Sequence, residues 1–292
     1  MINFRSPDIE DRKWIKPILE NTGYFSSDYA FGSLYIWSGM YKTKICEHEG
    51  FLMRYFGNGE YCMPVGKSDI KQGISLLIED AKERGCGFKI SALTEDMVKA
   101  VGKAMPNTFN FSENRDIADY IYAVEELSTL SGRKYHGKRN QITQFHRTYE
   151  SEYEVITEEN KNCCLEIEKA WLSDSPSAGE DGTDQEFLAI KRAIDNYKEL
   201  EMRGAIIKIN GNPVAFTIGE EINKEVFITH FEKALPDYLG AYKVINQEFC
   251  KNELSSYKYV NREEDLGIEG LRKAKLSYHP AILLNKYSAE LR

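Results

Sequence analysis

"YVNREEDLGIEGLRKAKLSYHP" (Tyr259–Pro280) joins a strand to a helix through an acidic turn. It opens as a strand, turns acidic from Glu263 to Asp265, passes Gly267 and Gly270, and becomes a short cationic helix that stops at Pro280. A strand feeding a helix in this way is the unit of a mixed α/β sheet, and such sheets present binding groups where their strands end. Asp265 is placed to cap the helix. Ile268, Leu271 and Ala274 fall near one helical face, with Tyr278 further along, so that face is expected to be buried. Arg272 and Lys275 are neighbours on another side of the helix. Such a pair suits a phosphate or carboxylate, with the arginine making the bidentate contact. Cations in a last helical turn also complement the helix dipole, so the pattern has a purely structural reading as well.

Working outward, the elements form a repeating order. A helix is expected from Asp8 to Glu20, followed by the aromatic-rich "YFSSDYAFGSLYIW". Alternating stretches from Lys42 to His48, Phe51 to Phe56 and Tyr61 to Val65 are separated by Glu49-Gly50 and Asn58-Gly59, which is hairpin punctuation. "SDIKQGISLLIEDAKERG" reads as an amphipathic helix capped by Ser68 or Asp69 and ended by Gly85. "FKISAL" is a strand, Glu95 to Lys103 a helix and "DYIYAVEEL" a strand. The second half begins with a helix in "TDQEFLAIKRAIDNYKEL". Three strands follow, Ala205 to Ile209, Val214 to Glu220 and Glu225 to Glu232, with an Asn-Gly turn after the first. A helix from Tyr242 to Asn252, the strand ending at Val260, the cationic helix and a last strand near Ile282 to Tyr287 complete it. Each half is thus a β-meander followed by helix, strand, helix and strand, without a residue-level repeat. Two domains are expected, 1–130 and 131–292, with a connecting helix over 131–149 capped by Ser131. The loop "SDSPSAGEDGT" is expected to move.

Composition narrows the function. Of 292 residues, 42% are apolar and 29% charged, with a net charge of −8. That acidity argues against a general nucleic-acid binder, although a local basic patch remains compatible with it. No apolar run spans a bilayer and the first residues lack a signal-peptide core, so a cytoplasmic protein without an integral membrane segment is expected. The six cysteines form no C-x-x-C and no zinc spacing, so they read as reduced, packed thiols and no metal is expected. Neither a P-loop nor a G-x-S-x-G elbow is present, which sets aside nucleotide hydrolases and serine esterases.

"LSGRKYHGKRNQI", "THFEKA", "GAYKVINQEF" and the stretch quoted first together resemble the family named for the C-terminal domain of phosphatidylglycerol lysyltransferase. The resemblance covers nearly the whole chain and is strongest from Ser131 onward. It implies an α/β (α+β, mixed-sheet) architecture of two tandem acyltransferase folds of the GCN5-related (GNAT, acyl-CoA N-acyltransferase) type, as in the Fem peptidoglycan transferases. Membrane-bound members carry this module after many spanning helices and move lysine from lysyl-tRNA to a lipid. This sequence contains the module alone.

The reaction expected is transfer of an acyl group, aminoacyl by resemblance, to an amine or hydroxyl without a covalent enzyme intermediate. It needs a base, oxyanion donors and a cradle for the donor's phosphates. On a regular strand His230 and Glu232 share one face and Phe231 takes the other, so either of the first two could be the base. Asn261, with backbone N–H groups of the neighbouring strand, is the candidate oxyanion donor. Gly240 precedes a helix N-terminus and, with Arg272, Lys275 and Lys273, is a candidate for the phosphates. On this reading Arg272→Ala cuts turnover and leaves folding intact. Where a CoA-dependent enzyme has Q/R-x-x-G-x-G/A, this sequence has D-Y-L-G-A-Y, with Asp237 repelling a pyrophosphate and Tyr242 blocking close approach. Lys134, Lys138 and Arg139 of the basic connecting segment are candidates for a polyanion such as tRNA. The donor is therefore aminoacyl-tRNA or acyl-CoA, with no cofactor certain, and the acceptor a small molecule, peptide or lipid. CoA-dependent N-acetylation and non-catalytic binding of tRNA or anionic lipid are the alternatives.

Overall fold

A computed structural model describes residues 1–66, 69–174 and 181–292. Ser68 and most of the loop expected to move, residues 175–180, lie outside the described residues. In chain order the elements are α1 (Arg12–Glu20), α2 (Phe31–Ile36), β1 (Lys44–His48), β2 (Phe51–Gly57), β3 (Glu60–Cys62), α3 (Ile70–Arg84), β4 (Lys89–Thr94), α4 (Glu95–Ala104) and β5 (Phe109–Ala123). Then come α5 (Val124–Thr129), α6 (His136–Thr148), β6 (Ser151–Val155), α7 (Cys163–Asp174), α8 (Asp181–Asp195), β7 (Arg203–Ile209), β8 (Asn212–Glu221) and β9 (Val226–Ala234). The chain finishes with α9 (Ala241–Asn252), β10 (Tyr259–Asn261), α10 (Glu269–Leu276) and β11 (Ile282–Leu291).

The chain forms two compact units. The first comprises Met1–Tyr120, Glu263–Lys275 and Ile282–Arg292, and the second Ile121–Arg262 and Leu276–Ala281. This division differs from a cut after residue 130, for reasons of pairing. β11 runs antiparallel to β4, and Asp265 bonds to Arg115 and Tyr120, so the late segments fold with the first unit.

In the first unit the strand order is β1-β2-β3-β4-β11-β5, with β3 and β4 parallel. Asp69 caps α3 by accepting from the Gln72 N–H, and Gly85 closes it in the left-handed conformation, as the sequence indicates. Lys286 of β11 is buried between Asp119 (2.8 Å) and Asp28 (2.7 Å), so its charge is compensated inside the unit.

In the second unit the order is β10-β9-β8-β7-β6, with Ile121–Ala123 of β5 antiparallel to β10. The β7–β8 hairpin turns at Asn210–Gly211, both with positive φ (51° and 76°), the turn this dipeptide favours. α9 packs on β7, β8 and β9 through residues such as Phe249, whose ring lies 5.7 Å from that of Phe227. α7 packs against β8 and β9. "VEEL" is helical, as the start of α5, where its apolar spacing suggested strand. Ser131 caps neither α6 nor the 3-10 turn before it, because their N-cap positions are held by Tyr135 and Gly132. Among the described residues no helix is long and apolar enough to cross a membrane, and no group of three or more His, Cys, Asp or Glu is placed to hold a metal ion.

Candidate functional site

β9 and β10 run parallel for only three pairs, ending at Ile228 opposite Asn261. Beyond that register the strands have no ladder, so β9 carries its last residues past the end of its neighbour. Glu232 stands in that part of β9. Arg262, the residue after β10, reaches back to it with a 2.6 Å contact from its guanidinium, and the Asn246 side-chain amide of α9 donates to the other carboxylate oxygen at 3.0 Å. The parting of the two strands is therefore bridged by an ion pair with both side chains largely buried. Burial works against the Arg262 charge, but the Glu232 carboxylate outweighs it and holds the guanidinium protonated above its ordinary range. Beside this pair, Asn246 Oδ1 and Thr217 Oγ1 are buried and make no hydrogen bond among the described residues. Thr217 is the β8 residue directly opposite Glu232.

His230 does not join Glu232. Ile218 pairs with Phe231 and Gly219 with Thr229, so His230 is an extra residue, a β-bulge. The bulge needs a glycine opposite, because a Cβ on Gly219 would meet the Ile228 carbonyl oxygen at 1.8 Å. Past the bulge the alternation changes phase. Glu232 takes the α9 side with Thr217, whereas His230 contacts Glu220 of β8 at 3.1 Å on the opposite side. The expectation that the two share a face assumed an unbroken period of two, which the extra residue removes. His230 is fully enclosed, its side chain 0% exposed. Asn261 is also buried, its backbone in the ladders to Ile121 and Ile228.

Gly240 is the N-cap of α9, at φ 100°. A Cβ there would lie 3.2 Å from the Gln141 carbonyl oxygen and 3.3 Å from Phe145 Cβ, so this glycine lets α6 cross tightly over the start of α9. That crossing brings Lys138 of α6 toward Lys243 of α9. Lys138 donates to Ser277 Oγ at 2.7 Å and lies 3.6 Å above the Tyr278 ring, and the Arg262 guanidinium is 5.0 Å from the same ring. Burial, then repulsion from Lys243 and Arg262, depresses the Lys138 amine to about 8, and burial lowers that of Lys243. Among the described residues neither lysine makes an ion pair with a carboxylate.

The other basic candidates have protein partners. Lys134 binds both oxygens of Glu126, at 3.0 and 2.9 Å. Arg139 donates to the carbonyls of Leu130 and Gly132, tying down the end of α5. In the first unit Arg272 grips Asp265 through two bonds, at 2.9 and 2.7 Å, and Asp116 at 2.8 Å, while Lys275 donates to the Glu264 carbonyl. Lys273 is exposed. Asp265 does not cap α10 directly. Its side chain accepts from the Gly267 N–H, in the turn that precedes the helix. α10 buries none of its residues, and Leu266, Ile268 and Leu271 are exposed, so the expected buried stripe is inverted: the helix is fastened by its cations. Sequence reasoning missed Arg262, Asn246, Lys243 and Tyr278. Arg262 had a signal in its place immediately after a short parallel strand, and Asn246 in its position on the apolar face of α9.

Cys250, near the ion pair, is buried and its thiol is pushed up to about 12, which makes it a packing residue rather than a nucleophile.

Comparison with known proteins agrees with this architecture. The family model described as "Phosphatidylglycerol lysyltransferase, C-terminal" matches residues 20–290. A conserved protein of unknown function from Bacteroides thetaiotaomicron VPI-5482 is 40% identical, with a TM-score of 0.95 over 100% of both chains. L-PGS from Bacillus licheniformis is 17% identical, with a TM-score of 0.66 over 98% of this chain and 92% of that one, a likeness of fold. An uncharacterised protein of Mycoplasmoides gallisepticum is 26% identical over 178 residues, 58% of this chain and 54% of that protein, so the match spans about half the length of this curated relative. The mixed α/β, GNAT-like fold expected from the sequence is the fold found. With the model matching almost from end to end, the chain belongs to the phosphatidylglycerol lysyltransferase C-terminal family.

Proposed function

We propose that this protein transfers an acyl group, of the aminoacyl class, from an ester donor of the aminoacyl-tRNA type to an amine or hydroxyl acceptor. The observation that carries the reading is the buried Glu232–Arg262 pair, with Asn246, at the parting of β9 and β10. An acyl carbonyl placed along the free-running end of β9 would be within reach of that strand's backbone, the source of the oxyanion donors. Family membership favours an aminoacyl group over acetyl, and so does the D-Y-L-G-A-Y sequence before α9, which lacks the residues that bind the pyrophosphate of CoA.

The nucleophile attacks the donor carbonyl and a C–N or C–O bond forms. The ester C–O bond to the carrier then breaks, and the proton lost by the nucleophile ends on the departing carrier oxygen. Glu232 is the group that orients the nucleophile and receives its proton, and Arg262 and Asn246 fix the carboxylate in place. His230, enclosed beside Glu220, supports the bulge and does not reach substrate on this reading. Arg272 and Lys275, committed to protein acceptors, hold the 263–275 segment. The test is incubation with a panel of charged tRNAs and acyl-CoAs, followed by mass spectrometry. Aminoacylated acceptor, with nothing from the acyl-CoAs, is the expected result. Product from acetyl-CoA alone would overturn the reading.

A further inference from the structure

We infer that Lys138, Lys243 and Arg262 form a phosphate-binding subsite in the second unit, beside Glu232. Three cations from three places in the chain lie near one another: Lys138 in the first turn of α6, with Lys243 in the first turn of α9 and Arg262 just after β10 both repelling it. Tyr278 gathers two of them, with Lys138 at 3.6 Å and Arg262 at 5.0 Å from its ring centre. Of the three, Arg262 has a carboxylate partner, Glu232.

Three other cations of the chain are handled differently. Lys286 has two carboxylates, Lys233 has Glu168 and Glu186, and Arg272 has Asp265 and Asp116. A protein of net charge −8 has acids to spare, yet Lys138 and Lys243 are half-buried and make no ion pair with one among the described residues. Holding like charges together away from water costs folding free energy, and such costs gather where a ligand repays them. A tetrahedral phosphate fits this group: two ammonium ions and a guanidinium supply donors from several directions, and the α9 N-terminus adds its dipole. The Lys138 amine stands at about 8 because of burial and its two cationic neighbours, so an arriving anion restores its proton. Phosphate binding is therefore coupled to proton uptake. Identifying the phosphate as part of the acyl donor's nucleotide end rests on the transfer reading above, whereas the binding itself does not.

The experiment is calorimetric titration of the whole chain with 5′-AMP and with adenosine at pH 8, in two buffers of different ionisation enthalpy. AMP should bind with net proton uptake and adenosine should not bind. Lys138→Met and Lys243→Met should each weaken AMP about tenfold or more, while Lys251→Met, exposed at the far end of α9, leaves it unchanged. Both lysine variants relieve repulsion and are expected to fold. Should either fail to fold, the wild-type titration still decides: adenosine binding as well as AMP, or AMP binding without proton uptake, overturns the subsite. Lysine-dependent AMP binding without transfer from any donor upholds the subsite and defeats the transfer reading. Transfer with an AMP affinity indifferent to both lysines defeats the subsite alone.

Discussion

Two groups of cations, one in each unit, show how little a basic residue says until its acids are counted. In the first unit Arg272 and Arg115 surround Asp265, whose side chain is 0% exposed, and Asp116 takes a second contact from Arg272. Burial pushes the Asp265 carboxyl up, but the bonds from Arg272, Tyr120 and the Gly267 N–H prevail and hold it well below the usual carboxylate range. That group is complete. In the second unit Arg262 has Glu232, Lys138 and Lys243 make no carboxylate ion pair among the described residues, and burial with the two cationic neighbours depresses the Lys138 amine. The first arrangement holds a loop and a helix in place. The second is the one able to receive an anion.

The sharpest way to break this contrast is to remove the single acid of the second group. Glu232→Ala strands a buried guanidinium and should cost ~3–5 kcal/mol in urea denaturation. Glu232→Gln, which retains an acceptor for Arg262, should cost much less. Equal losses would mean that the charge of Glu232, which both variants remove, and not its acceptor oxygen, is what stabilises Arg262.

Arg272→Met addresses the complete group. It leaves Asp265 with Arg115, Tyr120 and the Gly267 N–H but without its bidentate partner, so a clear fall in melting temperature is expected. The kcat of the protein that remains folded should be preserved. This reverses the effect expected from the sequence, and a kcat loss at unchanged melting temperature would restore the ligand-binding reading of Arg272.

Lys138→Met gives a smaller effect with a definite sign. The folded amine stands at about 8, below the ordinary lysine value of ~10.5, so between these limits the unfolded chain binds more protons. The cost is fully present below pH 8 and disappears as pH rises toward ~10.5. The variant should therefore be more stable than wild type at pH 7, with the gap closing by pH 10.5. A gap that widens with pH would show that Lys138 is stabilised by a neighbour rather than repelled. Smallest of all, Lys273→Met on the exposed side of α10 should change stability by no more than ~0.5 kcal/mol.

Much of the fold was legible where local chemistry is decisive. Asn210-Gly211 sets a hairpin turn, Gly85 closes α3 and Asp69 opens it, and each does so through its own backbone or side chain. The site was less legible, because its features are non-local. The bulge at His230 depends on β8 lacking a Cβ at Gly219, and alternation within β9 cannot reveal that. The amphipathic pattern of α10 is real, but its apolar residues face outward because Asp265 and the Glu264 carbonyl claim its cations. Lys138 was found as one basic residue among several. Only the crossing of α6 over α9 at Gly240 distinguishes it from Lys134, which Glu126 neutralises.

The most direct measurement is single-turnover transfer from a charged tRNA by wild type and by Glu232→Gln, each first shown to be folded by its melting curve. Loss of the proton acceptor with the fold retained should lower the rate constant by about 100-fold or more. A rate equal to wild type would remove Glu232 from the reaction and with it the assignment of the site to the parting of β9 and β10.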